Sequence, residues 1–196
     1  MRNIRSTLIL VAALAVSGRA FAASYWIDND HTNIGFSVKH LEVFFVRGKF
    51  GDFSGYFDFD EKTLALTRAT VGITAETVDT GVAKRDEALR SKDFLNVEKF
   101  PEITFNLKSS RTDPDKKIHV VGDITIRKIT KEIKLDGEYL GAVTDNVGNE
   151  RVGFTARGVI RRGDFGITWN QPLDTGGKLV GEEVKITLDI EGIKKR

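Results

Sequence analysis

The chain of 196 residues has no cysteine, one methionine and three prolines. The absence of cysteine excludes disulfides, a thiol nucleophile and every thiolate metal site. It also has no glycine-rich phosphate loop ahead of a helix, no G-x-S-x-G nucleophile elbow and no H-x-x-x-H pair. The Asp164-Phe165-Gly166 triplet stands without the other motifs of a kinase. No nucleophile, base and orienting group assemble anywhere, so the residues give no reason to expect an enzyme. No strong net charge is present either. The chain carries 30 Lys+Arg against 28 Asp+Glu, but Arg2, Arg5 and Arg19 fall in the first 22 residues with no acid beside them. The remaining 174 residues therefore hold 27 basic and 28 acidic side chains, a net −1, which provides no electrostatic footprint for nucleic acid.

The apolar run Leu8–Val16 falls far short of the ~20 residues that a spanning helix requires. It follows Arg2 and Arg5 and precedes Ala20-Phe21-Ala22, the order of a secretory signal peptide with cleavage after Ala22. No cysteine follows that could carry a lipid. Residues 23–196 then form one domain, large enough to bury a core without staples. An exported protein without disulfides fits a bacterial periplasm.

Most of what remains alternates with period 2. Ile34, Phe36, Val38 and His40 share one face, as do Phe53, Phe57 and Phe59, then Ala69, Val71, Ile73 and Ala75. Ile103, Phe105 and Leu107 follow, and after them Ile118, Val120, Gly122, Ile124 and Ile126. Ile133, Leu135, Gly137 and Tyr139 make the next stripe; Val152, Phe154, Ala156 and Gly158 the one after; Val184, Ile186, Leu188 and Ile190 the last. The opposite faces carry Lys, Arg, Asp, Glu and Thr. The pattern predicts eight half-buried strands plus a short one at "YWID", joined by tight links such as "RKIT" and "RTDPDK". Eight antiparallel strands make a sandwich or a barrel, and closure removes exposed edges. A barrel is expected, with its apolar face inward: side chains such as Lys134, Arg157 and Lys185 would crowd so narrow a lumen.

Small residues on the inward face (Gly51, Gly55, Ala69, Ala75, Gly122, Gly137, Ala156, Gly158) leave volume for a ligand, or else mark bulges and corners. His40 is the one imidazole in register with the apolar face, able to bond a ligand head or to sit satisfied by backbone. His31 and His119 have the wrong parity to join it in a metal site.

Several stretches resemble the YceI-like family. "DNDHTNIGFSVKHL" is similar to its D-x-x-H-[ST]-x-x-x-F-x-V-x-H opening, and "GKFGDFSGYFDFD" to its next strand. "RDEALRSKDF" with "FPEITF" matches its most distinctive run, "GDITIRKITKEIKL" its hairpin, and "IRRGDFGI" its R-x-D-F-G segment. Asn96 stands where the family often has Phe-Asp. The resemblance implies a periplasmic, lipocalin-like barrel that binds long isoprenoids or similar amphiphiles, including isoprenoid quinones and fatty amides. It also implies association with cytochrome b561-type membrane proteins. A bound polyisoprenoid or quinone would be the ligand, with no other cofactor. Loading would require transient membrane contact, and the sheet edges leave a homodimer open.

The charged stretch 82–99 reads as a helical flap: Asp86 and Arg90 as an i,i+4 pair, then Ser91 capping a second turn whose Phe94, Val97 and Phe100 form an apolar stripe. The expected lumen residues are Phe36, Val38, Phe53, Phe57, Phe105, Ile124, Ile126, Ile133, Leu135, Phe154, Ile186 and Leu188. Phe94 covers the lumen, Phe165 and Trp169 sit at its rim, and His40 faces the head group.

Overall fold

Eleven strand segments follow from the alternation: β1 (Ala23–Ile27), β2 (Asn33–His40), β3 (Phe44–Phe50), β4 (Phe53–Asp60), β5 (Ala65–Thr74), β6 (Val78–Asp79), β7 (Glu102–Thr112), β8 (Lys117–Ile126), β9 (Ile129–Thr144), β10 (Glu150–Arg161) and β11 (Val180–Lys194). One helix, α1 (Ala83–Arg90), lies between β6 and β7. They come from a computed structural model that describes residues 22–174 and 176–195. Residues 1–21, which carry the expected signal peptide, lie outside the described part.

The eleven segments make eight strands because three are bent. β1 and β2 both run antiparallel to β11. β4 and β3 pair with β1 and β2 in turn, and β5 and β6 with β4 and β3. β7 to β10 continue the antiparallel order, and β11 meets both β10 and β1, so the sheet closes on itself. The expected eight-stranded antiparallel barrel is borne out.

Each bend has a local cause. Between β1 and β2, Asp28 accepts from the amide of Asp30 at 3.0 Å, and the Thr32 hydroxyl clamps both backbone groups of Glu191. Between β3 and β4, Thr77 Oγ1 accepts from the amides of Gly51 and Asp52. Those side chains replace ladder bonds that the bend breaks. Inward residues are apolar and outward ones charged, the inverse of a lipid-facing barrel. Among the described residues no helix is long and apolar enough to cross a membrane.

The helix is shorter than the sequence pattern suggests. Ser91 terminates α1, and Asn96 at φ 52° breaks any continuation, so residues 92–99 are turns. The Asp86–Arg90 pair does not form. Asp86 is buried and accepts from the amide and hydroxyl of Thr80, while Arg90 donates to the carbonyls of Glu76 and Val78. Satisfying buried backbone outweighs a solvent-exposed ion pair.

Candidate functional site

The lumen is divided along its axis. Towards the start of β1 it is filled by rings: Tyr25 stacks on Phe57 at 5.4 Å, and Phe154 packs edge-on against Phe59 at 4.9 Å and Phe57 at 5.5 Å, with Tyr139 beside it at 5.3 Å. Desolvation raises the Tyr25 phenol far above its ordinary value, and its hydroxyl donates to Glu61. Towards the other end the packing stops and a cavity of about 410 Å³ opens.

That division sorts the expected lumen residues. Phe36, Val38, Phe105, Ile124, Ile126, Ile133, Leu135, Ile186 and Leu188 line the cavity, and so do His40, Phe94, Phe165 and Trp169. Phe53, Phe57 and Phe154 do not. Phe57 and Phe154 belong to the ring cluster, and Phe53 is buried opposite Ile73 at the start of β4. Residue parity places all three on the inner face; height along the barrel axis separates Phe57 and Phe154 from the cavity, whereas Phe53 lies level with Ile73, a lining residue. Phe100 also stays outside the lining, where the Arg127 guanidinium lies 5.7 Å from its ring.

Nor is the volume supplied by glycine. A Cβ at Gly48 would lie 2.5 Å from the ring of Phe36, one at Gly122 would lie 2.3 Å from Phe105, and one at Gly192 would lie 2.4 Å from Phe57. Rings already occupy the space those glycines leave. A cover closes the cavity from above. Ala88 and Leu89 of α1, Phe94 and Leu95 of the following turns, and Ile167 and Trp169 of the β10–β11 loop form that cover. Phe94 and Trp169 meet at 5.3 Å. Leu89, Leu95 and Leu179 are lining residues at helix and loop positions, which carry no period-2 signal, and Val46 and Phe50 belong to β3, a strand segment that the sequence pattern did not single out.

Besides Thr32, whose hydroxyl is held by the backbone of Glu191, polar side chains reach the lining at four places. Arg162 is 3 % exposed and donates to the carbonyls of Ile167, Trp169, Val180 and Gly181, tying the β10–β11 loop to the barrel. Arg85 donates to the hydroxyl and carbonyl of Thr80, at 2.7 and 2.9 Å. Lys39 is exposed at the rim. His40 lines the cavity and makes no side-chain hydrogen bond among the described residues.

The remaining histidines serve elsewhere. His31 bonds Asp28 at 2.9 Å, and that contact raises its pKa. Asp28, His31 and Glu191 bring three metal-capable atoms within 4.8 Å, but Arg151 already binds Asp28, Asp145 and Glu191. The cluster is an ion-pair network at the β1–β2 bend. Arg151 and the amide of Asn149 hold the Asp145 carboxyl well below the usual carboxylate range. His119 lies on the outer face, raised by Asp136 and then Asp113.

Barrel and cavity define a lipocalin-like class: a closed antiparallel barrel, packed at one end, with an apolar chamber under a helical cover at the other. Within that class the particular family follows from the comparisons. Residues 25–192 match the family described as "YceI-like domain". A UPF0312 protein of Pectobacterium atrosepticum is 38% identical over 192 residues, covering 97% of this chain and 96% of that one. The crystal structure of a Campylobacter jejuni YceI protein shares 30% identity at TM-score 0.71, over 81% of this chain and 90% of that one. A polyisoprenoid binding domain from Saccharophagus degradans has the same fold at TM-score 0.63 and 12% identity, over 89% of this chain and 99% of that one. The chain belongs to the YceI-like family.

Proposed function

We propose that the protein is a periplasmic carrier that holds the tail of a long isoprenoid, or a similar amphiphilic lipid, in its lumen. The observation that carries this reading is the apolar chamber of about 410 Å³ under a movable-sized cover of one short helix and one loop. At roughly 30 Å³ per methylene-sized group, close to the share of a water molecule in the liquid, it takes about 14 such groups. Their burial from water is worth ~11 kcal/mol at ~0.8 kcal/mol each. A longer prenyl chain extends past Trp169 or displaces the turns at 91–99. From a membrane, where the tail is already out of water, transfer is nearly balanced, as reversible delivery requires. The head group then decides direction, and His40 is the side chain placed to bond a quinone carbonyl or an amide.

The polyisoprenoid binding of the Saccharophagus degradans domain supports the same class of cargo, and the family resemblance supports export to the periplasm and a cytochrome b561-type membrane protein as partner. A homodimer is compatible with this arrangement. The lining contains no carboxylate and one imidazole, so we assign binding without catalysis. Replacing His40 with Ala should change affinity for the lipid alone; loss of a measurable turnover would instead mark an enzyme. Native mass spectrometry of protein purified from periplasm without detergent, followed by solvent extraction, tests the main reading. A stoichiometric adduct that extracts as a prenyl chain, quinone or fatty amide supports it. A clean protein mass, unchanged after incubation with such lipids, refutes it.

A further inference from the structure

We infer, resting on the carrier reading for its purpose, that the mouth of the barrel is a docking surface for an anionic phospholipid bilayer. The β2–β3 hairpin tip presents Leu41, Val43 and Phe44 to solvent at 41, 84 and 62 % exposure. This tip is continuous with the cavity: it follows His40, and the Leu41 amide donates to the carbonyl of Leu179, both cavity-lining residues. Ile129 at the β8–β9 turn and Trp169 add further exposed apolar surface at the same end. Contiguous exposed apolar surface of this kind marks an interaction site.

Both hairpin turns at the mouth are built against the backbone's preference. Leu41 and Glu42 have φ of 52° and 59°, and Arg127 and Lys128 have φ of 53° and 63°. Turns with two left-handed residues favour Asn-Gly or Gly-Gly. Here they hold a bulky Leu and two long cations, and such strain collects where side chains act.

Basic side chains without an ion pair gather at this rim. Arg47 and Lys185 flank Ser37 on the outer face of β3, β2 and β11, within ~10 Å of strand length from the hairpin tip. Lys128 caps the β8–β9 turn. None of the three takes part in an ion pair among the described residues, although Lys185 lies 4.8 Å from the Phe45 ring. Of the acids near the rim, Glu182 is held by Lys178 and Arg162 and Glu42 accepts from the amide of Lys178, while Asp164 and Glu183 make no ion pair among the described residues. At the opposite end Lys194 is matched by Glu150 and Arg68 by Asp58, while Lys195 lies 3.5 Å from the Trp26 ring. A chain near neutrality has thus left free cations beside an apolar tip at the mouth. That combination complements an anionic bilayer, with apolar groups among acyl chains and cations at phosphate level. It also opens the chamber onto the medium in which a lipid tail already resides.

The test is co-sedimentation of the purified protein with phosphatidylcholine vesicles, with and without phosphatidylglycerol. Binding should require phosphatidylglycerol and vanish in 1 M salt, where screening shortens to ~3 Å. Each basic side chain near an anionic surface multiplies partitioning about fivefold, so R47Q/K128Q/K185Q should lose roughly a hundredfold. V43D/F44D should also lose binding, while V143D/V147D at the far hairpin should not. Without touching the mouth, a Trp26→Phe variant isolates Trp169, whose fluorescence brominated phosphatidylglycerol vesicles should quench. Equal binding to both vesicle types, binding to neither, or unchanged binding by both mouth variants overturns the docking surface. The two readings fail separately. A lipid adduct in the mass spectrum with no vesicle selectivity leaves the carrier and removes the docking surface; vesicle selectivity without any adduct does the reverse.

Discussion

Replacing Val38 with Trp distinguishes a chamber from a loosely drawn core. Val38 lies on β2 between Val184 and Val46, with its side chain in the cavity lining. Trp suits a strand and adds about seven heavy atoms, each displacing roughly one methylene-sized group of ligand worth ~0.8 kcal/mol. In a filled core this enlargement would cost about 1–3 kcal/mol by overpacking. In a chamber of about 410 Å³ the indole has room, so thermal stability should hold or rise. The displaced ligand contacts total ~5–6 kcal/mol, a ceiling near four orders of magnitude in affinity. A tail that withdraws partly through the mouth loses less, and a loss of more than about a hundredfold is expected. The assay pairs displacement of a fluorescent amphiphile with differential scanning calorimetry of the same samples. A lower melting temperature with unchanged affinity would refute the chamber, since the indole would then be straining a packed interior that no ligand enters.

The filled end should respond in the opposite way. Phe154→Ala removes a ring with aromatic partners in Phe57, Phe59 and Tyr139 and should cost about 3–5 kcal/mol. At roughly 2–4 °C per kcal/mol for a domain of this size, the melting temperature should fall by about 6–20 °C with lipid stoichiometry retained; lipid loss at an unchanged melting temperature would place Phe154 in the site. Stability should also depend on pH in a set direction. His31 and His119 have raised pKa values through Asp28 and Asp136, so their contribution is complete below the unfolded value of ~6.5 and is lost as pH rises through the folded one. The Asp145 carboxyl is lowered by Arg151, so its contribution is present above the unfolded value of ~3.9 and is lost as pH falls. Melting temperature should therefore peak between about pH 4 and 6.5, and His119→Gln should flatten the alkaline flank. A melting temperature that climbs steadily from mildly acid to mildly alkaline solution would contradict the assignment.

Much of the site was readable from parity. Phe36, Val38 and His40 share a face by alternation, and all three line the cavity. The same rule groups Phe57 and Phe154 with them although they pack in the ring cluster, because alternation reports which face a side chain takes and says nothing of its height along the axis. The flap was half legible: Phe94 reaches the cavity, yet its helix ends at Arg90 because Asn96 takes a left-handed conformation and Asp86 and Arg90 bond loop backbone in preference to each other. Gly122 reads as free volume in sequence, whereas Phe105 lies over it. That contact depends on cross-strand register, which no single segment contains.

By itself the sequence determined the strand count, the inward apolar face and the charged outer wall, since the two-residue period of a strand is a local property of its backbone. Only the tertiary structure decided where the lumen is solid and where it is hollow. That outcome depends on which large side chains share a level once eight strands have closed, on bends held by Asp28, Thr32 and Thr77, and on the helix and loop that Arg90 and Arg162 tie across the mouth. The bonds from Thr32 to Glu191 and from Thr77 to Gly51 join residues far apart in the chain, and they form only after the barrel has brought their partners together.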